Sequence, residues 1–209
     1  MRADRPGPGE ELSEGEVADA REAASLMLLR EGPGGPEVLL VQRNPGQRSM
    51  GGAWVFPGGS LHAGDSDELA TARRELAEEA GVELANDAEL VRWSRWVTPA
   101  QVEVRFDTHF FVARAPEDAE PEVDGAECVD LRWLRPQDAL DGGARGELLL
   151  VFPTVRHLEQ LAEHGSVEDA LQAARERKVQ PVDPQVVLEG GVAQVLMPGE
   201  EGYEEAGAR

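Results

Sequence analysis

At 209 residues the length favours a single enzyme-sized domain with extensions. Its 41 acidic residues against 20 basic ones leave a formal net charge of −21, which repels nucleic-acid phosphates and anionic lipid and excludes both as expected partners. A lone Cys128 forms no internal disulfide and no cysteine metal site, and no apolar run reaches the roughly 18 residues of a bilayer span, so the expectation is a cytoplasmic protein in a reducing compartment.

Residues 1–20 are Pro, Gly and Glu rich with little to bury, and predict a disordered acidic tail. "AASLMLLR" and "EVLLVQR" flank the turn-rich "EGPGGP" and predict two paired strands. A helix should follow "FPGGSLHAGDSD", with Asp65, Ser66 and Asp67 as candidate N-caps. "AELVRWSRWV" predicts a strand. So does "EVRFDTHFFVAR", where Val104, Phe106, Phe110 and Val112 alternate with Arg105, Asp107 and His109; one face is expected to be core and the polar one to be free to line a pocket. "ECVDLRWL" predicts another strand, running into a helical turn at "RPQDAL". Two helices are expected over "TVRHLEQLAEHG" and "VEDALQAARERK", separated by Gly165 and the N-cap Ser166. "QVVLEGGVAQVLMPGE" suggests a hairpin about Gly190 and Gly191. The division is therefore a main domain over 21–152, a helical extension over 153–180, and a hairpin with a flexible tail over 181–209. Single helices alternating with strands predict an α/β sandwich with a mixed sheet.

The helix over "ELATARRELAEEAGV" carries the chemistry. On a helical wheel Glu75, Glu78 and Glu79 fall within an arc of roughly 100°, opposite Leu69, Leu76 and Ala80. An amphipathic surface helix with solvated acids would give the same pattern. These acids lie late in the helix, however, where the macrodipole disfavours negative charge, and Glu75 and Glu79 repel at i,i+4. A divalent cation would relieve the crowding, and an all-oxygen shell suits Mg²⁺, with Mn²⁺ the alternative, rather than zinc. Arg74 stands where it can orient a carboxylate, and the Gly58–Gly59 pair lets backbone approach the ion. Metal-assisted attack of water on phosphorus is the chemistry suggested.

Gly59, five residues, Asp65, eight residues and "RELAEEAGV" together resemble the Nudix box, the signature of hydrolases that cleave a nucleoside diphosphate linked to another moiety. Aspartate at position 65 with this longer spacing, and the upstream "LLVQRNPGQRSMGGAWVFPGG", resemble the coenzyme A diphosphatase branch, although Val41 and Asn44 stand where Thr and Ser are usual. "WVTPAQVEVRFDTHFFVA" and "FPTVRHLEQLA" extend the resemblance over about residues 21–180. It implies a Nudix α/β/α sandwich, with Glu75, Glu78 and Glu79 binding metal, the Gly59 carbonyl joining them, and Arg74 orienting the glutamates. Glu127, six residues before Trp133, falls where many members place a further metal-binding or base glutamate. The general base stays open among Glu75, Glu79 and Glu127. Arg43, Arg48 and Arg105 are the candidate phosphate contacts, with surface arginines the alternative in each case. His62 and His109 are expected to be spectators, and Trp54 and Phe56 to be core rather than adenine platforms.

The implied substrate is a small nucleotide-derived molecule: coenzyme A or an acyl derivative. ADP-ribose, NADH or a related dinucleotide is the second option, and a catalytically silent nucleotide-binding regulator the third. The late helices are open between a homodimer interface and a lid.

Overall fold

The computed structural model describes residues 2–3, 17–47, 49–189 and 192–207. In chain order the elements are β1 (Arg2–Ala3), β2 (Arg21–Gly32), β3 (Gly35–Arg43), β4 (Trp54–Val55), β5 (Gly58–Ser60), α1 (Glu68–Ala80), β6 (Val91–Val97), β7 (Phe106–Arg114), β8 (Cys128–Leu134), α2 (Pro136–Ala144), α3 (Phe152–Leu161), α4 (Val167–Glu176), β9 (Pro181–Val182), β10 (Gln185–Glu189), β11 (Val192–Leu196) and α5 (Tyr203–Gly207). None of these helices is long and apolar enough to cross a membrane.

The main sheet runs β4-β3-β2-β7-β6-β9, with β5 on β2 and β8 on β3. It is mixed: β2 lies parallel to β7 and β6 parallel to β9, and the remaining pairs are antiparallel. Alternation divides the side chains between two cores, as the strand period of two requires. Ala24, Leu26, Leu28, Leu39, Val41, Phe111 and Ala113 meet Ala72, Leu76 and Ala80 of α1. Met27, Leu29, Val38, Leu40, Phe110 and Val112 meet α2, α3 and α4 through Ala139, Leu158, Leu161, Ala170, Leu171 and Ala174. The result is the expected α/β/α sandwich, and each of these fully buried large apolar side chains contributes about 1.5–3 kcal/mol.

The helix signals hold in detail. Asp67 caps α1 by accepting the Ala70 N–H at 2.8 Å, and α1 ends at Gly81 in the left-handed region, φ 65°. Ser166 caps α4 by accepting the Asp169 N–H at 3.1 Å.

Two expectations change. β7 does not carry one core face and one free polar face. Its centre, His109 to Ala113, is buried on both sides, because α1 covers one face of the sheet and α3 the other. The terminal hairpin forms as β10 and β11, and Arg2–Ala3, within the segment expected to be a tail, pairs with the free edge of β11 in a separate three-stranded sheet. The Gly190–Gly191 turn lies outside the described residues, as does 4–16 of that segment.

The feature that positions the site is a fork between β2 and β3. They pair only from Leu29 to Gly32 against Gly35 to Val38. Beyond that the strands part, β4 joins β3, and β5 joins β2 at Ala23 to Ser25. The Leu26 N–H and the Ser25 hydroxyl both donate to the Pro57 carbonyl, at 2.8 and 3.1 Å. Gly58 sits so close to β2 that a Cβ there would lie 2.5 Å from the Ala24 carbonyl oxygen and 2.7 Å from the Ser25 Cα. Both are backbone atoms in a central strand and cannot step aside. Gly58→Ala should therefore lower the unfolding free energy by about 1–3 kcal/mol, read from urea denaturation; an unchanged midpoint would show that β5 separates from β2 without cost.

Candidate active site

α1 and the β4–β5 turn bring the box residues together. Arg74 is the hub. Its Nε and Nη2 donate to the Asp65 carboxylate at 3.1 and 2.9 Å, and Nη2 donates to the Ser60 carbonyl at 3.1 Å. Its Nη1 donates to Glu75 Oε1 and to Glu78 Oε2, both at 2.8 Å. Asp65 is thus not the helix cap that its position allows. It anchors the arginine and also accepts the His62 N–H at 2.9 Å and the Thr71 hydroxyl at 3.0 Å. The Arg74 hydrogen bonds above all hold its carboxyl well below the usual carboxylate range.

The three glutamates differ sharply in environment. Glu78 projects outward, its side chain 58% exposed. Glu75 is buried, and desolvation raises its pKa against the pull of Arg74. Glu79 is only 2% exposed. Its Oε2 accepts the Gly58 N–H at 2.9 Å, while Oε1 is buried with no hydrogen-bond partner of good geometry; Arg43 Nη1 lies 3.7 Å from it, and the Cys128 thiol also stands beside the carboxylate. Burial is the main reason its carboxyl is pushed up to about 7. Gly59 completes the cradle: a Cβ on it would stand 2.4 Å from Glu75 Oε1, so only glycine leaves that carboxylate its place.

The loop before β8 delivers Glu127. Asp124 accepts the Glu127 and Cys128 N–H groups, each at 2.8 Å, and Asn44 donates from its N–H to the Glu127 carbonyl at 2.8 Å. Glu127 itself is exposed, and it lines the same cavity as Arg43, Gly58, Gly59, Glu75 and Glu78. That cavity has a volume of about 440 Å³.

Among the described residues no three acidic, histidine or cysteine side chains already stand as a closed cation cage, because Glu78 faces solvent and Arg74 bridges it to Glu75. Two observations nevertheless fit a hard divalent cation. The donor set is all oxygen, and a buried carboxylate oxygen of Glu79 lacks a partner, which costs about 1–3 kcal/mol or more until something satisfies it.

Of the predicted arginines, Arg43 reaches the cavity, its Nε donating to the Ser49 carbonyl at 3.3 Å. Arg48 lies outside the described residues. Arg105 is not brought to the site. The strand period places it with Asp107 and His109, on the side away from Phe106, Thr108 and Phe110, which line the cavity. Its guanidinium instead donates to the Thr98 and Ala18 carbonyls, at 3.0 and 2.7 Å. His109 is buried against Arg92, at 2.7 Å, and His62 lines the cavity rim. Trp54 and Phe56 are both buried in the core, 2% and 3% exposed, and Phe56 also lines the cavity. Cys128 is buried on β8, and burial pushes its thiol far up, which leaves it without nucleophilic character.

Residues that sequence reasoning did not single out also line the cavity, among them Trp96, Val102, Phe152, Val186 and Val195. Their only signal is hydrophobicity, which core residues share.

Three comparisons bear on this geometry. A model of the NUDIX domain matches residues 19–152. The chain is 27% identical over 183 residues to "Putative nudix hydrolase 7" of Caenorhabditis elegans, covering 68% of this chain and 61% of that protein. It is 30% identical over 123 residues to "Acyl-coenzyme A diphosphatase NUDT19" of Homo sapiens, covering 56% of this chain and 32% of that protein. The match thus spans under two thirds of either relative's length. The crystal structure of a NUDIX hydrolase from Alicyclobacillus acidocaldarius superposes with a TM-score of 0.67 at 28% identity, covering 75% of this chain and 97% of that one. With the box residues gathered on α1 and the β4–β5 turn, and the domain model spanning both, the chain belongs to the Nudix hydrolase family.

Proposed function

We propose that this chain is a divalent-cation-dependent hydrolase that cleaves the diphosphate of a nucleotide derivative, with coenzyme A or an acyl-coenzyme A as its substrate. The observation that carries the chemistry is the carboxylate face of α1: Glu75 and Glu79 buried beside the Gly58–Gly59 turn, one oxygen of Glu79 unpartnered, and Arg74 braced by Asp65. The substrate class rests on the "LLVQRNPGQRSMGGAWVFPGG" segment and on similarity to the human protein named above.

Glu75, Glu78, Glu79, Glu127 and the Gly59 carbonyl are the groups that would hold Mg²⁺, or Mn²⁺ in its place. The cation, when bound, supplies Lewis-acid stabilisation of charge on the phosphoryl oxygens. Arg74, held from behind by Asp65, fixes the orientation of Glu75 and Glu78, a restraint of the kind that tunes metal ligands. Arg43 faces the cavity as a contact for the substrate's phosphates, with Arg48 proposed beside it; an anionic substrate needs such local charge against the −21 of the whole chain. The Glu127 carboxylate accepts no hydrogen bond among the described residues and is available to take the proton of the attacking water. Water adds across one P–O–P bond, giving adenosine 3',5'-bisphosphate and the phosphopantetheine product.

The test is Mg²⁺-dependent turnover of coenzyme A, ADP-ribose and NADH at equal concentration, with products identified by mass. Coenzyme A should be cleaved fastest, EDTA should stop the reaction, and Glu78→Gln should reduce it to background. Faster cleavage of ADP-ribose or NADH would keep the metal site and overturn the substrate; full activity in Glu78→Gln would overturn the metal assignment.

A further inference from the structure

The cavity is divided by charge. Arg43, Glu75, Glu78 and Glu127, the charged residues among its lining, all belong to the box end. The far end is walled by Trp96, Val102, Phe106, Phe152, Val186 and Val195, with the Trp96 ring packed edge-on to Phe152 at 6.0 Å. Val186 and Val195 are direct partners across the β10–β11 ladder and so present one face together. The segment that carries them is fastened to the domain. β9 pairs with β6 and Gln101 Nε2 donates to Gln185 Oε1 at 3.2 Å, while within the segment the Tyr203 hydroxyl donates to the Asp183 carbonyl at 2.6 Å.

We infer that this end is a subsite for an uncharged apolar chain carried by the substrate, and that Val186 and Val195 set the chain length it accepts. The inference rests on the hydrolase function proposed above and deepens its substrate class. Continuity with the carboxylate end requires the occupant to be attached to the phosphate-bearing group, and the lack of charge at the far end requires that part to be apolar. A purine fits less well, because its ring nitrogens need partners when buried. The polar side chains there are the hydroxyls of Thr98, Thr108 and Thr154, and Thr98 Oγ1 already accepts the Phe106 N–H at 3.0 Å.

The experiment measures kcat/KM for coenzyme A, hexanoyl-coenzyme A and dodecanoyl-coenzyme A below the micelle threshold. A buried methylene is worth up to about fourfold in affinity, so the dodecanoyl ester should exceed coenzyme A by roughly tenfold or more, mainly through KM. Val186→Asp and Val195→Asp should each collapse that ratio toward one. Val187→Asp, on the opposite face of β10, should keep the wild-type ratio. Equal kcat/KM for all three substrates overturns the subsite, and so does a collapse in Val187→Asp as deep as in Val186→Asp, which would assign the effect to hairpin folding. If no coenzyme A ester is cleaved, the hydrolase proposal fails separately. Calorimetric binding of dodecanoyl-coenzyme A against coenzyme A then decides the subsite, tighter binding of the longer ligand supporting it and equal binding overturning it.

Discussion

Glu79→Gln in metal-free buffer at pH 8 is expected to be more stable than wild type by about 2 kcal/mol, and inactive. The two effects share one cause. The Glu79 carboxyl moves from an ordinary 4.5 to about 7 on folding, with desolvation the largest contributor. For a group whose pKa is raised in the folded state, the protonated form below pH 4.5 carries no penalty; the penalty grows as pH rises to about 7 and is complete above it. A shift of that size corresponds to about 3 kcal/mol at pH 8. Glutamine removes the charge and can still accept the Gly58 N–H. It loses the attraction of Arg43 and turns an unpartnered amide toward that guanidinium, which is why the expected gain is below the full penalty. The same unpartnered oxygen is what the proposed cation would satisfy, so Mg²⁺ should raise the midpoint of wild type and leave the variant where it is. Urea unfolding in EDTA and in Mg²⁺, with turnover measured alongside, checks all of this. A variant less stable than wild type in EDTA, or one that retains turnover, would sink the account of α1 as a strained metal face.

Much of this site is visible in the sequence because it is local. The spacing that puts Arg74, Glu75, Glu78 and Glu79 on one helix, the Asp67 and Ser166 caps, and the β2–β3 pair all depend on residues within a few turns of one another. What sequence spacing does not contain is depth. Glu75, Glu78 and Glu79 look equivalent on a helical wheel, yet Glu79 is buried and Glu78 is exposed, because the β4–β5 turn closes over only one side of α1. Arg105 likewise looks like a free cation until the pairing of β6 and β7 assigns it to the face away from the cavity. The apolar end is the least legible part. Val186 and Val195 lie far along the chain from the box, and long-range contacts such as β9 joining β6 and Gln101 meeting Gln185 bring them to it.

His157 is the clearest case of a residue that periodicity passes over, and its replacement by Phe should destabilise the domain by a pH-dependent amount. It stands on the apolar side of α3 beside Val155 and Leu158, is fully buried, and its ring lies 4.2 Å from that of Phe110. Pro153 O, 2.6 Å away, can only accept, so Nδ1 carries the proton; Nε2 then accepts the Ser94 hydroxyl, also at 2.6 Å. The neutral ring therefore ties the first turn of α3 to β6, next to the cavity wall. Burial, with Arg177 adding to it, pulls the pKa from an ordinary 6.5 down to about 4. The sign follows from proton binding. Between pH 4 and 6.5 the unfolded chain takes up the proton and the folded one does not, so this contribution is complete above 6.5 and falls away as pH drops toward 4, by about 3 kcal/mol in all. At pH 7.5 Phe leaves the half-buried Ser94 hydroxyl without its acceptor, while the Pro153 carbonyl keeps the helical N–H of residue 157, at a cost of about 1–3 kcal/mol. Near pH 4.5 wild type has lost most of its advantage, and the gap between the two proteins should close. Buried carboxylates such as Glu79 drift in the opposite direction over the same range, so the informative quantity is the difference between wild type and variant at each pH, in which those common contributions cancel. Chemical denaturation at half-unit steps from pH 4.5 to 7.5 gives that curve. A difference that stays flat would mean His157 is not held neutral, and with it would go the hydrogen-bonded tie between α3 and β6.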